Sequence, residues 1–260
     1  MSKLLIDIGN SSVKWSILTG DALGPMRRKR HVGRTETVLD SLVECVDDSI
    51  EHIAVANVAG SAVADYLTAR AAAKGAPMPW FATSRALSCG VRNAYRTPSQ
   101  LGVDRWAALV AAYVSSREAK DARPICVVDS GTAMTFDVVT GDGQHLGGLI
   151  LSGPDALAAG LYRNTADIPM TETTSEWPGP GVQVLGKDTV TAISNAAWLA
   201  VAATVDRASA AVALDIEAPR LLLSGGNAEQ LQPWLETESE IHPLLVLQGL
   251  ELLHASRDDI

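Results

Sequence analysis

Apolar positions recur along the chain in two periods. Leu4-Leu5-Ile6 runs into Asp7, and after Ile8-Gly9-Asn10-Ser11 the chain continues from Val13 to Leu18. Short apolar runs bounded by Gly, Asn and Ser predict two strands and a tight turn. Thr35 to Val46 places Val38, Leu39, Leu42, Val43 and Val46 at helical spacing. A buried strand follows at Ile53 to Val58, then a helix capped by Ser61 and running to about Ala73, then a short strand at Trp80-Phe81-Ala82. Residues 88–103 show no period, and a long irregular loop inside a compact domain is commonly functional. From Arg105 to about Lys120 the stripe Trp106, Leu109, Val110, Tyr113 and Val114 predicts a helix with Asp104 as its N-cap.

The second half repeats the opening plan. Ile125 to Val139 is again a strand, an Asp-x-Gly turn and a strand, with Asp129 matching Asp7, Gly131 matching Gly9 and Thr132 matching Asn10. Gly147 to Pro154 reads as strand into helix start. An irregular stretch over 171–187 precedes an Ala-rich helix from Thr189 to Leu214. Arg220 to Leu223 is a strand entering the turn Ser224-Gly225-Gly226-Asn227, and Leu244 to Leu253 is a last apolar helix expected to pack back across the lobes. Alternating strands and helices imply sheets covered by helices. A repeat at half the chain length suggests two similar lobes, 1–120 and 121–260, linked through Lys120-Asp121-Ala122-Arg123-Pro124.

Composition narrows the class. The chain has 260 residues, 47% hydrophobic and 20% charged, enough to bury about three quarters of its unfolded surface. A net charge of −9 argues against an electrostatically driven nucleic-acid partner. The run Arg27-Arg28-Lys29-Arg30, with His31, falls between predicted strands and reads as a solvated turn, the alternative being contact with an acidic ligand. Cys45, Cys89 and Cys126 form no metal-ligand spacing, and Cys126 reads as a small core residue. No signal peptide is visible, since the chain is expected to enter its first strand by residue 4, and Thr189 to Val205 contains Thr, Ser and Asn and is short for a spanning helix. A cytoplasmic protein without a membrane partner is expected.

The two turns carry the candidate chemistry. Gly9 permits a conformation that a Cβ disfavours, and successive amides of Asn10, Ser11 and Ser12 can form a concavity for an anion, phosphate above all. Asp7 stands where it could hold a cation against that anion; the plainer alternative is an ordinary hairpin whose Asp and Asn make the turn. Two such hairpins facing each other would clamp a nucleotide's phosphates and their metal. That arrangement resembles the duplicated actin-like (ribonuclease H-like) kinase fold, an α/β architecture of two lobes, each with a mixed sheet and covering helices.

Three pieces then stand in order: Asp7-x-Gly9-Asn10-Ser11, Gly102-Val103-Asp104-Arg105 and Asp129-Ser130-Gly131-Thr132, with Asn93-x-Tyr95 before the second and Gly186-x-x-Thr189 after the third. In this order and spacing the chain resembles the type III pantothenate kinases from residue 3 to about residue 228, the Gly-x-Asp-Arg element being the specific part. The resemblance implies an ATP-phosphate loop made by Asp7, Ile8, Gly9, Asn10, Ser11, Ser12, Val13 and Lys14, with Asp7 near magnesium and Thr132 meeting the ATP. It implies a pantothenate site of Tyr95, Gly102, Val103, Asp104, Arg105 and Thr189, with Asp104 accepting the proton of the primary hydroxyl. It further implies a monovalent cation, K+ or NH4+, at Asp129, and a homodimer. Phosphoryl transfer asks mostly for positioning and charge neutralisation, so a modest base suffices. Asp104 as a cap only, Arg105 as its surface partner and Tyr95 as packing are the structural alternatives. Asp137, His145 and Asp155 are assigned no role, and His145 reads as a turn residue. A sugar or small-acid kinase of the same fold and a non-catalytic nucleotide-sensing regulator are the competing functions. The chain departs from the family at Ser11 for Thr, Asn57 for Ser, and Ser152-Gly153 for Pro-Gly.

Overall fold

The structure, a computed structural model, describes residues 2–31, 35–163, 176–179 and 181–258. Residues 171–175 and 180 of the irregular 171–187 stretch lie outside these. In chain order the elements are β1 (Ser2–Ile8), β2 (Ser12–Thr19), β3 (Ala22–Leu23), β4 (Arg27–Arg30), α1 (Thr35–Glu44), β5 (Ile50–Asn57), α2 (Ser61–Lys74), β6 (Pro79–Phe81), β7 (Leu87–Ser88), β8 (Val91–Arg92) and α3 (Val103–Glu118). There follow β9 (Ile125–Ser130), β10 (Ala133–Val139), β11 (His145–Ser152), α4 (Pro154–Arg163), α5 (Thr189–Asp215), β12 (Arg220–Ser224), α6 (Ala228–Leu231), β13 (Ser239–Ile241) and α7 (Leu245–Ala255).

Contacts gather the chain into two units, one running through Ser115 and resuming at Leu244, the other Ser116–Pro243. The division drawn at 120/121 assigns the last stretch to the second lobe, whereas α7 groups with the first unit. Its apolar side chains decide this: Leu245, Val246, Leu247, Leu250 and Leu253 are buried, and the helix packs on β1 and β5.

The first unit's sheet has the order β3-β2-β1-β5-β6, with β4 also paired to β2. β1 is antiparallel to β2 and parallel to β5. Leu4, Ile6, Ile8 and Val13 point to one face, where they meet Val38, Leu39, Leu42 and Val43 of α1 and Leu67 of α2. Strand alternation sends Leu5 and Asp7 to the other face, the one α7 covers. Their parallel neighbours there are Ala54 and Ala56, small enough to let a helix come close.

The second unit's sheet, β11-β10-β9-β12-β13, repeats that order and every strand direction: β9 lies antiparallel to β10 and parallel to β12. Cys126, Val128, Met134, Phe136 and Val138 pack on Trp198, Val201, Ala202 and Val205 of α5. Burial pushes the Cys126 thiol up to about 12, as befits a core residue. Against the sequence expectation, the 27-residue α5 is long and apolar enough to cross a membrane by length and composition; its buried face is that of a core helix. His145 is no turn residue either: it opens β11 fully buried, with Nε2 3.2 Å from Asp137 Oδ1.

Candidate active site

In the first hairpin, register places Asp7 opposite Lys14, and Asp7 Oδ2 lies 3.6 Å from Lys14 Nζ, both side chains largely buried. The Gly9 amide donates to the Ser12 carbonyl at 3.0 Å and closes the tip over Asn10 and Ser11. A Cβ on Gly9 would stand 3.3 Å from that carbonyl, tighter than most such contacts. His31 braces the same tip. Its amide donates to the Ser11 carbonyl at 3.0 Å, and its buried ring lies 3.1 Å from the Gly9 carbonyl by Nε2 and 3.0 Å from Thr35 Oγ1 by Nδ1. A carbonyl oxygen only accepts, so Nε2 carries the hydrogen.

Sequence reasoning missed this brace because it read Arg27 to His31 as a solvated turn. Arg27–Arg30 is instead strand β4, paired to β2 with Ser12↔Arg30, Val13↔Lys29, Lys14↔Arg28 and Trp15↔Arg27. Four adjacent cations have no apolar alternation to announce a strand; the pairing partner supplies it.

The Gly102-to-Arg105 segment begins α3. The Trp106 amide donates to the Gly102 carbonyl at 2.9 Å, so the helix starts two residues earlier than expected and Asp104 sits inside its first turn instead of capping it. Asp104 Oδ1 accepts from the Arg105 amide at 2.8 Å. A Cβ on Gly102 would fall 2.6 Å from that oxygen, so the glycine leaves the carboxylate its space. Arg105 is only 7% exposed and therefore is no surface partner. Its Nη1 donates to the Tyr95 hydroxyl at 3.0 Å, and its guanidinium carbon stands 5.7 Å from the Tyr95 ring centre. Tyr95 is thus more than packing.

The irregular loop is held by its own polar groups. Asn93 Oδ1 accepts from the Tyr95 amide at 2.9 Å, Asn93 Nδ2 donates to the Arg85 carbonyl at 3.2 Å and to the Pro98 carbonyl at 3.3 Å, and Ser84 Oγ donates to the Leu101 carbonyl at 2.8 Å. These bonds, with buried Val91 and Leu101, hold the loop that carries Tyr95.

In the second unit the repeated hairpin is one residue tighter, with the Gly131 amide donating to the Ala133 carbonyl at 3.0 Å around an exposed Thr132. The Thr132 carbonyl accepts from the Gly153 amide at 2.9 Å, and a Cβ at Gly153 would overlap the Gly131 carbonyl. The glycine of the Pro-Gly pattern is therefore kept where contact demands it, and the departure at 152–153 reduces to Ser152, an exposed strand residue opposite Ala133. Asn57 has a local task, accepting from the Ala59 amide at 3.0 Å and donating to the Gly60 carbonyl at 2.8 Å.

Gly225, at φ +94°, presses on Asp129: a Cβ there would lie 2.7 Å from Asp129 Oδ1 and 2.6 Å from the Ser130 nitrogen. Ser224 is in register with Asp129 on the parallel strand β12. Its Oγ is fully buried and has no hydrogen-bond partner among the described residues. Among those residues no three His, Cys, Asp or Glu side chains gather as a metal cluster. Thr189 is the exposed first residue of α5, whose N-cap Asp188 accepts from the Thr191 amide at 2.9 Å.

Residues 3–211 match the family model described as type III pantothenate kinase. The chain is 37% identical over 252 residues to the type III pantothenate kinase of Nitrosococcus oceani, covering 95% of this chain and 91% of that one. It is 34% identical over 250 residues to the one of Thiobacillus denitrificans, covering 96% and 95%. Among solved structures, a Baf family protein from Campylobacter jejuni superposes with a TM-score of 0.60 at 19% identity, covering 99% of this chain and all of that one. This last likeness speaks to the fold alone.

Proposed function

The chain belongs to the type III pantothenate kinase family, and from that premise we propose how its residues divide the work. It has the actin-like α/β kinase architecture, and its reaction is the ATP-dependent phosphorylation of pantothenate in coenzyme A synthesis. The primary hydroxyl oxygen attacks the γ-phosphorus; the new O–P bond forms as the bond to the leaving ADP oxygen breaks. Asp104 takes the hydroxyl proton. Arg105, locked by Tyr95, presents its planar fork to the substrate carboxylate or an amide oxygen. Gly102, Val103, Tyr95 and Thr189 complete the pantothenate contacts. The observation that carries this reading is the Asp104–Arg105–Tyr95 arrangement, in which the acid and the cation are both fixed before any substrate arrives. Substrate-dependent ADP release tests it, with pantothenate set beside hexoses and short hydroxy acids. Turnover on a hexose and none on pantothenate would defeat it.

Asp7 to Lys14 bind the ATP phosphates, and Thr132 contacts the nucleotide. Asp7 is the residue that would hold a magnesium ion arriving with ATP, which would supply neutralisation of the phosphate charge. Asp129 would hold a monovalent cation, K+ or NH4+, and the orphaned Ser224 hydroxyl beside it fits that assignment, since a neutral oxygen next to a carboxylate suits a hard, singly charged ion. Thermal unfolding separates the roles without any turnover. Potassium should raise the wild-type midpoint by about 2–4 °C, which corresponds to roughly 1 kcal/mol of linkage. Asp129→Asn should abolish the response and Ser224→Ala should diminish it. In cation-free buffer Ser224→Ala should be no less stable than wild type, because its hydroxyl has no partner to lose. An undiminished potassium response in Asp129→Asn would remove the cation from this position.

The homodimer is supported by an apolar edge. Leu149 and Ile150, with Leu146, stand exposed on β11, the outer strand of the second sheet, and Leu161 is exposed on α4. Such an edge is suited to burial against a second copy. A monomer mass by light scattering at micromolar protein would remove that reading. The acidic net charge favours neither nucleic acid nor an anionic membrane as partner, and the substrates place the activity in the cytoplasm.

A further inference from the structure

We propose that β4 is an anion-binding strip continuous with the phosphate loop, and that Arg28 and Arg30 on it hold the phosphate tail of the nucleoside triphosphate. The inference rests on the reading of Asp7 to Lys14 as the ATP loop and extends it to residues with no assigned part.

Cross-strand partners in an antiparallel pair share a face. The rows Asp7–Lys14–Arg28 and Ser12–Arg30 therefore run outward from the hairpin on the face opposite the α1 core. Arg27 and Lys29 fall in the rows of Trp15 and Val13, on the α1 side. Four adjacent exposed cations repel one another. In a chain with 30 acidic residues against 21 Lys and Arg, they nonetheless make no ion pair among the described residues. A merely solvated stretch in so acidic a protein has carboxylates available for pairing; this one is left bare where it flanks the loop.

Charge arithmetic gives the strip a task. A triphosphate carrying one magnesium keeps a net charge of about −2. Lys14 is already engaged with Asp7 at 3.6 Å, so that pair brings no net positive charge. Arg28 and Arg30 bring two, as planar forks suited to phosphate oxygens. His31, directly after β4, is hydrogen-bonded to the Gly9 and Ser11 carbonyls, which fixes the strand's end to the loop it serves.

Equilibrium titration with MgATP, magnesium tripolyphosphate and adenosine tests this on the full chain. Three forms are compared: wild type, Arg28→Gln/Arg30→Gln, and Arg27→Gln/Lys29→Gln, which removes the same charge from the other face. All four positions are exposed, and thermal midpoints confirm equal folding. Each exposed contact is worth about a threefold change in affinity. The Arg28/Arg30 variant should thus bind MgATP and tripolyphosphate about tenfold more weakly, and the other pair within about twofold of wild type. Adenosine should move by less than about twofold in either, and the tenfold effect should shrink as salt is raised. Equal weakening by both pairs would show net charge alone at work and overturn the proposal, as would no weakening by the Arg28/Arg30 pair. If wild type binds neither MgATP nor tripolyphosphate, the ATP-loop reading itself fails and the strip fails with it.

Discussion

Asp104→Asn should leave a folded protein whose kcat falls by about 10²- to 10⁴-fold, the span of a lost proton acceptor. The substitution is close to isosteric. The amide oxygen of Asn can still accept from the Arg105 N–H, now bonded to Asp104 Oδ1 at 2.8 Å, so the first turn of α3 keeps its geometry. Arg105 and Tyr95 remain joined at 3.0 Å, so the contacts proposed for pantothenate survive and its KM should change by no more than about threefold. What disappears is the ability to take the hydroxyl proton. Phosphoryl transfer pulls the effect toward the lower end of that range, because its loose transition state asks more of positioning than of basicity. Asp104→Glu gives the complementary result: the base is retained but displaced by a methylene from the position that Gly102 leaves open for Oδ1. Its kcat should fall between the other two. Steady-state ADP release at saturating substrates, with melting curves beside it, decides the matter. Wild-type turnover in Asp104→Asn would reduce the residue to a helix-terminus carboxylate.

The chain announced some of this site and concealed the rest, for physical reasons. Both Asp-x-Gly hairpins were legible because apolar strands, a glycine and short polar residues are all local signals. The two sheets built on them share one strand order, as the repeat implied. The start of α3 was misplaced by two residues because Gly102 and Val103 look like loop, while the bond that starts the helix runs from the Trp106 amide to the Gly102 carbonyl. Arg105 was legible as a fork for the substrate, but its anchor, the Tyr95 hydroxyl, was not, because Tyr95 comes from a loop with no period. β4 and the His31 brace were invisible for a related reason: neither has a pattern of its own, and both exist only through β2 and the hairpin tip. Local propensity yields to pairing in such cases.

Gly249→Ala sets the same two influences against each other and should destabilise the protein by at least about 2 kcal/mol. Helix propensity alone predicts the reverse, since Ala is favoured over Gly in a helix interior by about 1 kcal/mol. Packing decides. A Cβ on Gly249 would lie 2.9 Å from the Cα of Ala107 in α3 and nearer still to its carbonyl. Backbone cannot rotate away as a side chain can, so α7 or α3 must move. Overpacking costs about 1–3 kcal/mol and occasionally more, and a Cβ this close to backbone belongs at the upper end, which outweighs the propensity gain. The expected net loss lowers the melting midpoint by roughly 4–8 °C. Activity should suffer beyond the stability loss, because α3 carries Asp104 and Arg105 on its first turn, and an ångström of misplacement at a reacting group costs about 10²-fold. Gly160→Ala is the control. Gly160 also lies in a helix, α4, but a Cβ there would meet nothing within 4 Å among the described residues, so propensity should act unopposed and raise stability by about 0.5–1 kcal/mol. Opposite signs for the two glycines in thermal and urea unfolding are the result to look for. A stabilised Gly249→Ala would mean that α7 and α3 are not in backbone contact, and with that the support assigned to the Asp104 helix would be lost.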